Sequence, residues 1–375
     1  MQALQPANNN EEVLMGPATR YLHHPKPVTL FRGGVLPRLR LAWESWGRLN
    51  ADKSNAILIF TGLSPSAHAA SSEKDRSPGW WEDMVGPGKH IDTEKYFVLC
   101  INSLGSCMGS TGPASINPAT GRPWRLDFPE LAIEDIAATG QLVVEHLEIE
   151  KFHAVIGPSM GGMTALAWIR QFPFSAHRLG LISTASSATP MAIAIRSLQR
   201  EAIVTDRNFR DGQYTEDAWP ETGMRLARKL GMISYRSASE WQRRFGRQPQ
   251  DYFPPTLFGM RFAVESYLEN HARKFVGQFD PCSYLNLSRA MDNFDFSEGH
   301  ASPQDAFKNS FDGHALVLGV VTDILFPPVQ QEQLAEDIRA AGAKATCHIF
   351  PSEQGHDAFL VDIDTFGRAI ADWLN

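Results

Sequence analysis

The first chemical possibility in this chain lies in Gly157-Pro158-Ser159-Met160-Gly161, a G-x-S-x-G pattern. A serine hydroxyl is a poor nucleophile until a base takes its proton, and the base needs an acid to hold its tautomer. Two downstream residues fit those roles: Asp323 follows the apolar run "LVLGVVT", and His356 sits in "PSEQGHDAF" just beyond "CHIF". Glycine and serine are common, so the pentapeptide alone carries little weight. Serine, aspartate and histidine in a recurrent triad order, each just past an apolar run, carry far more. Together they would transfer an acyl group: Ser159 attacks a carbonyl, His356 moves the proton, and Asp323 steadies the imidazole. The developing oxyanion would rest on two backbone N–H groups, that of Met160 and that of Leu63 in "FTGLSPSA".

Such residues act only when rigid elements hold them. Before Ser159, "HAVI" reads as a strand; after it, "GMTALAWIRQF" reads as a helix that Pro173 stops. Gly157 and Gly161 leave room where the turn between them brings backbones together. The runs "NAILIF" at 55, "YFVLCIN" at 96, "FHAVIG" at 152 and "RLGLIST" at 178 are continuous and apolar, as strands covered on both faces are. From about residue 190 the pattern turns helical. Val264, Tyr267, Leu268, His271 and Phe275 recur at helical spacing, with Glu269 and Arg273 as an i,i+4 pair. Strand-like runs return at "HALVLGVVTD" and "ATCHIF", separated by the helical "EQLAEDIRAAGA". The expected organisation is a flexible tail over 1–24, an α/β core over 25–189 and 306–375, and a helical insertion over 190–305. Both Asp323 and His356 then stand at strand carboxyl ends, where open α/β sheets place their chemistry.

Composition narrows the function classes. A chain of 375 residues with 43% hydrophobic and 21% charged content can bury a large core. Its formal charge of -7 offers no basic face for nucleic acid. Four scattered cysteines, Cys100, Cys107, Cys282 and Cys347, lack both disulfide-framework and zinc-ligand spacing, so no metal site is expected. Neither a signal peptide nor a run long enough for a membrane helix is present, and a cytoplasmic location is expected.

Beyond the triad, the sequence resembles the homoserine O-acyltransferase family of α/β-hydrolase-fold enzymes. The resemblance runs from Gly79 to Ile136 and through "GPSMGGMTAL", "RSLQREAI", "GMRLARKLGMISYRS", "TDILFPP" and "GHDAFLVD", nearly the whole chain. It implies an α/β-hydrolase core, a mostly parallel sheet covered by helices, with a helical lid near 190–305 and a homodimer joined through lid helices. It also implies Ser159 as nucleophile, Asp323 as acid and His356 as base, with Arg228 and Asp357 holding the carboxylate and amino group of an amino acid. No bound cofactor is implied; an acyl-CoA serves as co-substrate.

Two departures bear on the substrate. Homoserine-acylating members carry a histidine where this chain has Thr61, and Gly62-Leu63-Ser64-Pro65 is similar to the branch that acylates L-serine from succinyl-CoA, a step toward cysteine. Pro158, before the nucleophile, replaces a more usual small residue and removes one N–H. Acceptor and donor are therefore expected to be L-serine and succinyl-CoA. Homoserine acylation, serine O-acetylation and plain ester hydrolysis are the alternatives. A succinyl carboxylate needs a cation. Arg196 and Arg200 in "IAIRSLQREAI" could supply it, or could be surface charges of a lid helix.

Overall fold

The computed structural model describes residues 15–250 and 258–375. Within them the main sheet has eight strands: β1 (Arg20–His24), β2 (Leu39–Trp46), β3 (Ala56–Phe60), β4 (Phe97–Ile101), β5 (Ala154–Pro158), β6 (Arg178–Ile182), β7 (His314–Val320) and β8 (Lys344–Phe350). Their order across the sheet is β1-β2-β4-β3-β5-β6-β7-β8. The pairs β1/β2 and β2/β4 are antiparallel, and all pairs from β4 to β8 are parallel.

Alternation along each strand explains the continuous apolar runs. Leu58 and Phe60 of β3 face one hydrophobic layer while Ile57 and Ile59 face the other; Leu99 and Ile101 of β4 oppose Val98 and Cys100 in the same way. Helices α1 (Ile133–His146) and α2 (Met160–Gln171) cover the first face. There Trp168 of α2 packs against Phe60, Phe152 and Phe172.

Residues between β6 and β7 are helical, as the spacing predicts: α3 (Pro190–Val204), α4 (Glu221–Tyr235), α5 (Ala238–Phe245), α6 (Ala263–Phe275), α7 (Pro281–Asn293) and α8 (Pro303–Lys308). Thr189 caps α3 by accepting the Ala192 N–H, with Pro190 at its first turn. Asp280 caps α7 by accepting the Ser283 N–H. Two further helices, α9 (Pro328–Ala340) and α10 (Ile363–Leu374), complete the layers. Among the described residues no helix is long and apolar enough to cross a membrane.

One boundary needs correction. The first 14 residues of the tail expected over 1–24 lie outside the described residues, but Arg20–His24 is the edge strand β1. Leu22 packs onto the core from that strand, and Thr19 Oγ1 donates to the buried Glu44 at 2.6 Å. The segment carries no strand signal of its own, and pairing with β2 is what makes it a strand.

The sheet has a switch point at β3. The chain passes from β3 to β4 on one side, then crosses to β5 on the other. The carboxyl ends of β3 and β5 therefore lie side by side and open a crevice. That crevice is where the Leu63 loop and Ser159 meet.

Candidate active site

Ser159 joins β5 to α2 with φ 55° and ψ -124°, a conformation a non-glycine residue keeps only when its surroundings enforce it. Three hydrogen bonds do so. Its N–H donates to Ile182 O at 2.9 Å, and its carbonyl accepts the Gly162 N–H at 2.9 Å and Thr184 Oγ1 at 2.8 Å. A Cβ on Gly157 would stand 2.0 Å from Gly161 O, and one on Gly161 would stand 2.2 Å from Phe60 O. The two glycines read from sequence thus let the turn close, and Gly161 presses the start of α2 against the end of β3. As first residue of α2, Met160 has no intrahelical acceptor for its N–H. Leu63 lies in the loop leaving β3, and its N–H donates to no acceptor among the described residues.

The other two residues arrive from the ends of β7 and β8. Asp323 Oδ1 accepts the Leu325 and Phe326 N–H groups at 2.8 and 3.0 Å, which leaves Oδ2 to accept from His356 Nδ1 at 2.7 Å. His356 Nε2 lies 2.9 Å from Ser159 Oγ. Thr322 Oγ1 ties the two loops together, donating to Ser352 O and accepting the Gly355 N–H. Phe326, Phe359 and Tyr235 surround the imidazole at ring separations of 5.3, 5.9 and 5.9 Å. Burial opposes protonation of His356, and the adjacent Asp323 carboxylate outweighs it, so the net shift is upward.

Helices α3 and α4 supply the facing wall. Arg228 lies with its guanidinium 4.8 Å from the Phe275 ring centroid, and its buried Nε has no hydrogen-bond partner among the described residues. Asp357 pairs with Arg236 at 3.3 Å, not with Arg228. Burial raises the Asp357 carboxyl above its ordinary range, while Arg236, His356 and Arg228 pull the other way. Arg228 therefore acts on the same space from across it. The loop Gly62-Leu63-Ser64-Pro65 closes one side, with Asn102 Nδ2 donating to Pro65 O at 3.4 Å and Thr61 Oγ1 3.2 Å from Ser103 Oγ.

Arg196 and Arg200 are not surface charges: they are 6% and 8% exposed. Both reach one carboxylate, Arg196 Nε to Asp292 Oδ1 at 2.5 Å and Arg200 Nη2 to Asp292 Oδ2 at 2.6 Å. Two cations on one anion leave a net positive charge, and Arg196 Nη2 has no hydrogen-bond partner among the described residues. Its field opposes protonation of His356.

Sequence reasoning did not find Tyr235, Arg236, Thr322 or Asp292. For Tyr235 and Arg236 the one signal was the end of the α4 pattern; that α4 stops beside the His356 loop is visible only in the structure. Asp292 gave none, because its role depends on α7 packing against α3.

The family model described as alpha/beta hydrolase fold matches residues 55–362. Serine O-succinyltransferase of Frateuria aurantia is 54% identical over 364 residues, 96% of this chain and 99% of that protein. Homoserine O-acetyltransferase from Bacillus anthracis superposes with a TM-score of 0.88 at 27% identity, over 95% of this chain and 98% of that one. Esterase E22 superposes with a TM-score of 0.87 at 27% identity, over 95% and 99%.

Proposed function

This chain belongs to the α/β-hydrolase fold family and, within it, groups with the serine O-succinyltransferases; from that premise we propose that it moves the succinyl group of succinyl-CoA onto the hydroxyl of L-serine. The observation that carries the reading is a Ser159–His356–Asp323 chain with links of 2.9 and 2.7 Å, facing the Arg196 and Arg228 guanidinium groups, each with one buried nitrogen that has no hydrogen-bond partner among the described residues. A bare hydrolase needs the first feature. An acyl donor and an amino-acid acceptor that each carry a carboxylate also need the second.

The reaction is a double displacement. His356 Nε2 takes the proton of Ser159 Oγ as that oxygen attacks the thioester carbon, and the oxyanion is held by the Leu63 and Met160 N–H groups. The C–S bond breaks, His356 returns the proton to the departing thiolate, and the succinyl group remains on Ser159 as an ester. The amino-acid hydroxyl then gives its proton to His356 and attacks the ester carbon. Ser159 Oγ leaves and recovers the proton. Asp323 keeps Nδ1 protonated and stabilises the imidazolium at each transfer. Arg228 holds the serine carboxylate, Asp357 its ammonium, and Arg196 the distal carboxylate of the succinyl group. The product ester makes the serine side-chain oxygen a better leaving group, which suits a later sulfur displacement toward cysteine. All four cysteines are unpaired, which fits a reducing cytoplasmic setting. Met191, Leu198, Leu226 and Ile233 expose an apolar face on α3 and α4, which suits the homodimer reading.

Assays of L-serine and L-homoserine against succinyl-CoA and acetyl-CoA test the reading. The serine and succinyl-CoA pair should give the highest kcat/KM. Free succinate released at one rate with and without serine would leave a hydrolase, the activity named for the structurally similar esterase.

A further inference from the structure

Outside the candidate site, several cations of the helical segment lie on aromatic rings. The Arg244 guanidinium, on α5, lies 4.2 Å from the Tyr267 ring centroid and 5.1 Å from that of Phe245, and its Nη1 donates to Tyr267 Oη at 3.2 Å. Arg247 lies 5.3 Å over Phe262. Beneath them Trp241 stacks on Phe245, Phe245 meets Tyr267, and the Tyr267 ring is 4.3 Å from that of His271.

Tyr267, His271 and Phe275 are four residues apart on α6, so they form one line along that helix. The line begins under Arg244 and ends under Arg228. Arg236, between α4 and α5, pairs with Asp357 beside the triad histidine, and Arg243 reaches Glu353 of the same loop at 3.0 Å. A row of half-exposed rings edged by cations thus runs from solvent to the wall facing Ser159. Burial holds His271 below its ordinary value, and the charges acting on it most, Lys274, Arg228, Arg244 and Arg236, are all positive. Glu240, 3.6 Å from both Arg236 and Arg244, and Glu353 on Arg243 offset part of this charge. Arg228 and Arg247 have no carboxylate partner among the described residues, so in a chain with a net charge of -7 the row keeps a local positive excess that suits a flat, anionic ligand.

We infer that this row is the subsite for the phosphorylated adenosine end of the acyl-CoA donor, with the Tyr267 and His271 edge receiving the base and Arg244 and Arg247 the phosphates. The inference rests on the reading of a CoA thioester as donor. Base stacking on aromatic rings and guanidinium contacts to phosphate are the two interactions that recur where proteins hold nucleotides without enclosing them. The geometry also orders the donor. With its nucleotide on α5 and α6, its thioester arm runs inward along α6 toward Arg228 and Ser159.

The experiment compares succinyl-CoA with succinyl-pantetheine, which carries the same thioester without the nucleotide. For Arg244→Ala and for Arg247→Ala, kcat/KM with succinyl-CoA should fall about tenfold through KM, with kcat unchanged. Succinyl-pantetheine should be used as by the unsubstituted protein, which also shows that the variants fold. Arg244→Lys should recover part of the loss. Equal losses with both donors, or no loss with either, would overturn the subsite. Calorimetry with adenosine 3′,5′-bisphosphate reads it independently of turnover. Binding weakened about tenfold by Arg244→Ala supports the inference, and unchanged binding refutes it. If the unsubstituted protein transferred from neither thioester yet bound the bisphosphate in the Arg244-dependent way, the donor reading would fail and the nucleotide subsite would stand.

Discussion

The sheet edge that carries Ser159, Asp323 and His356 and the helical wall opposite it are built on different principles. At the sheet edge every polar side-chain atom of the three residues has a partner: Asp323 Oδ1 has two N–H donors, Oδ2 has the imidazole, and His356 Nε2 has the serine. On the wall, Arg196 Nη2 and Arg228 Nε are buried with no hydrogen-bond partner among the described residues. A buried, unpaired donor costs on the order of 1–3 kcal/mol. On the proposed function, the edge is arranged before substrate arrives and the wall is completed by it. Catalytic groups must not reorganise during reaction, whereas binding groups gain discrimination when only the right ligand satisfies them.

The largest effect should come from breaking the edge. Ser159→Ala removes the nucleophile and should lower kcat on the order of 10^5-fold or more, read as succinyl transfer in a single-turnover assay. Thermal stability should hardly move, because the backbone bonds of Ser159 to Ile182, Gly162 and Thr184 do not involve its hydroxyl. Near-normal turnover would show that the 2.9 Å contact to His356 is structural only.

Breaking the wall should look different. Arg228→Met keeps the packing on Phe275 and removes the charge and its unpaired donor. We expect kcat/KM for L-serine to fall about 10²-fold, the equivalent of one charge-assisted hydrogen bond pair. Acylation of Ser159 by succinyl-CoA should proceed at its usual rate. The folded protein should be as stable as before or slightly more so, since a buried unpaired donor has gone. A fall in acylation rate equal to the fall in serine use would mean that Arg228 serves the edge, and the contrast between the regions would dissolve.

The same contrast explains what could be read in advance. Strand runs such as Ala56–Phe60 and Ala154–Pro158 announce themselves because both faces of the sheet are covered. The triad order follows from where those strands end, so Asp323 and His356 are legible with the sheet. The helical wall is not legible in this way. Arg196 looks like any charge on an amphipathic helix until α7 brings Asp292 against it. Tyr235 and Arg236 become site residues only because α4 stops beside the His356 loop. Period and spacing describe one element at a time, while the wall exists only between elements. Arg20–His24 escapes for the same reason, being a strand only beside Leu39–Trp46.

The smallest effect tests whether the loop bearing Leu63 is prearranged like the rest of the edge. Five residues beyond Leu63, His68 points Nδ1 at Glu44 Oε2 and Nε2 at Ser77 O, each at 2.9 Å. A carboxylate and a carbonyl can only accept, so both ring nitrogens must carry protons and the ring is an imidazolium. The hydrogen bond to Glu44 is the largest cause of a His68 pKa raised to about 9, against the opposing effect of burial. A cation favoured by folding stabilises the protein fully below the unfolded value, near 6.5, and that contribution is lost as pH rises through 9. Between those limits thermal stability should decline by about 2 kcal/mol after allowance for solvent screening. His68→Gln should flatten the decline and lower the plateau beneath it. In the unsubstituted protein, kcat should fall over the same range, because the loop bearing the Leu63 N–H loosens as the imidazolium loses its proton. A stability curve that stays level from pH 6.5 to 9 would place the oxyanion loop with the wall, among the parts that substrate completes.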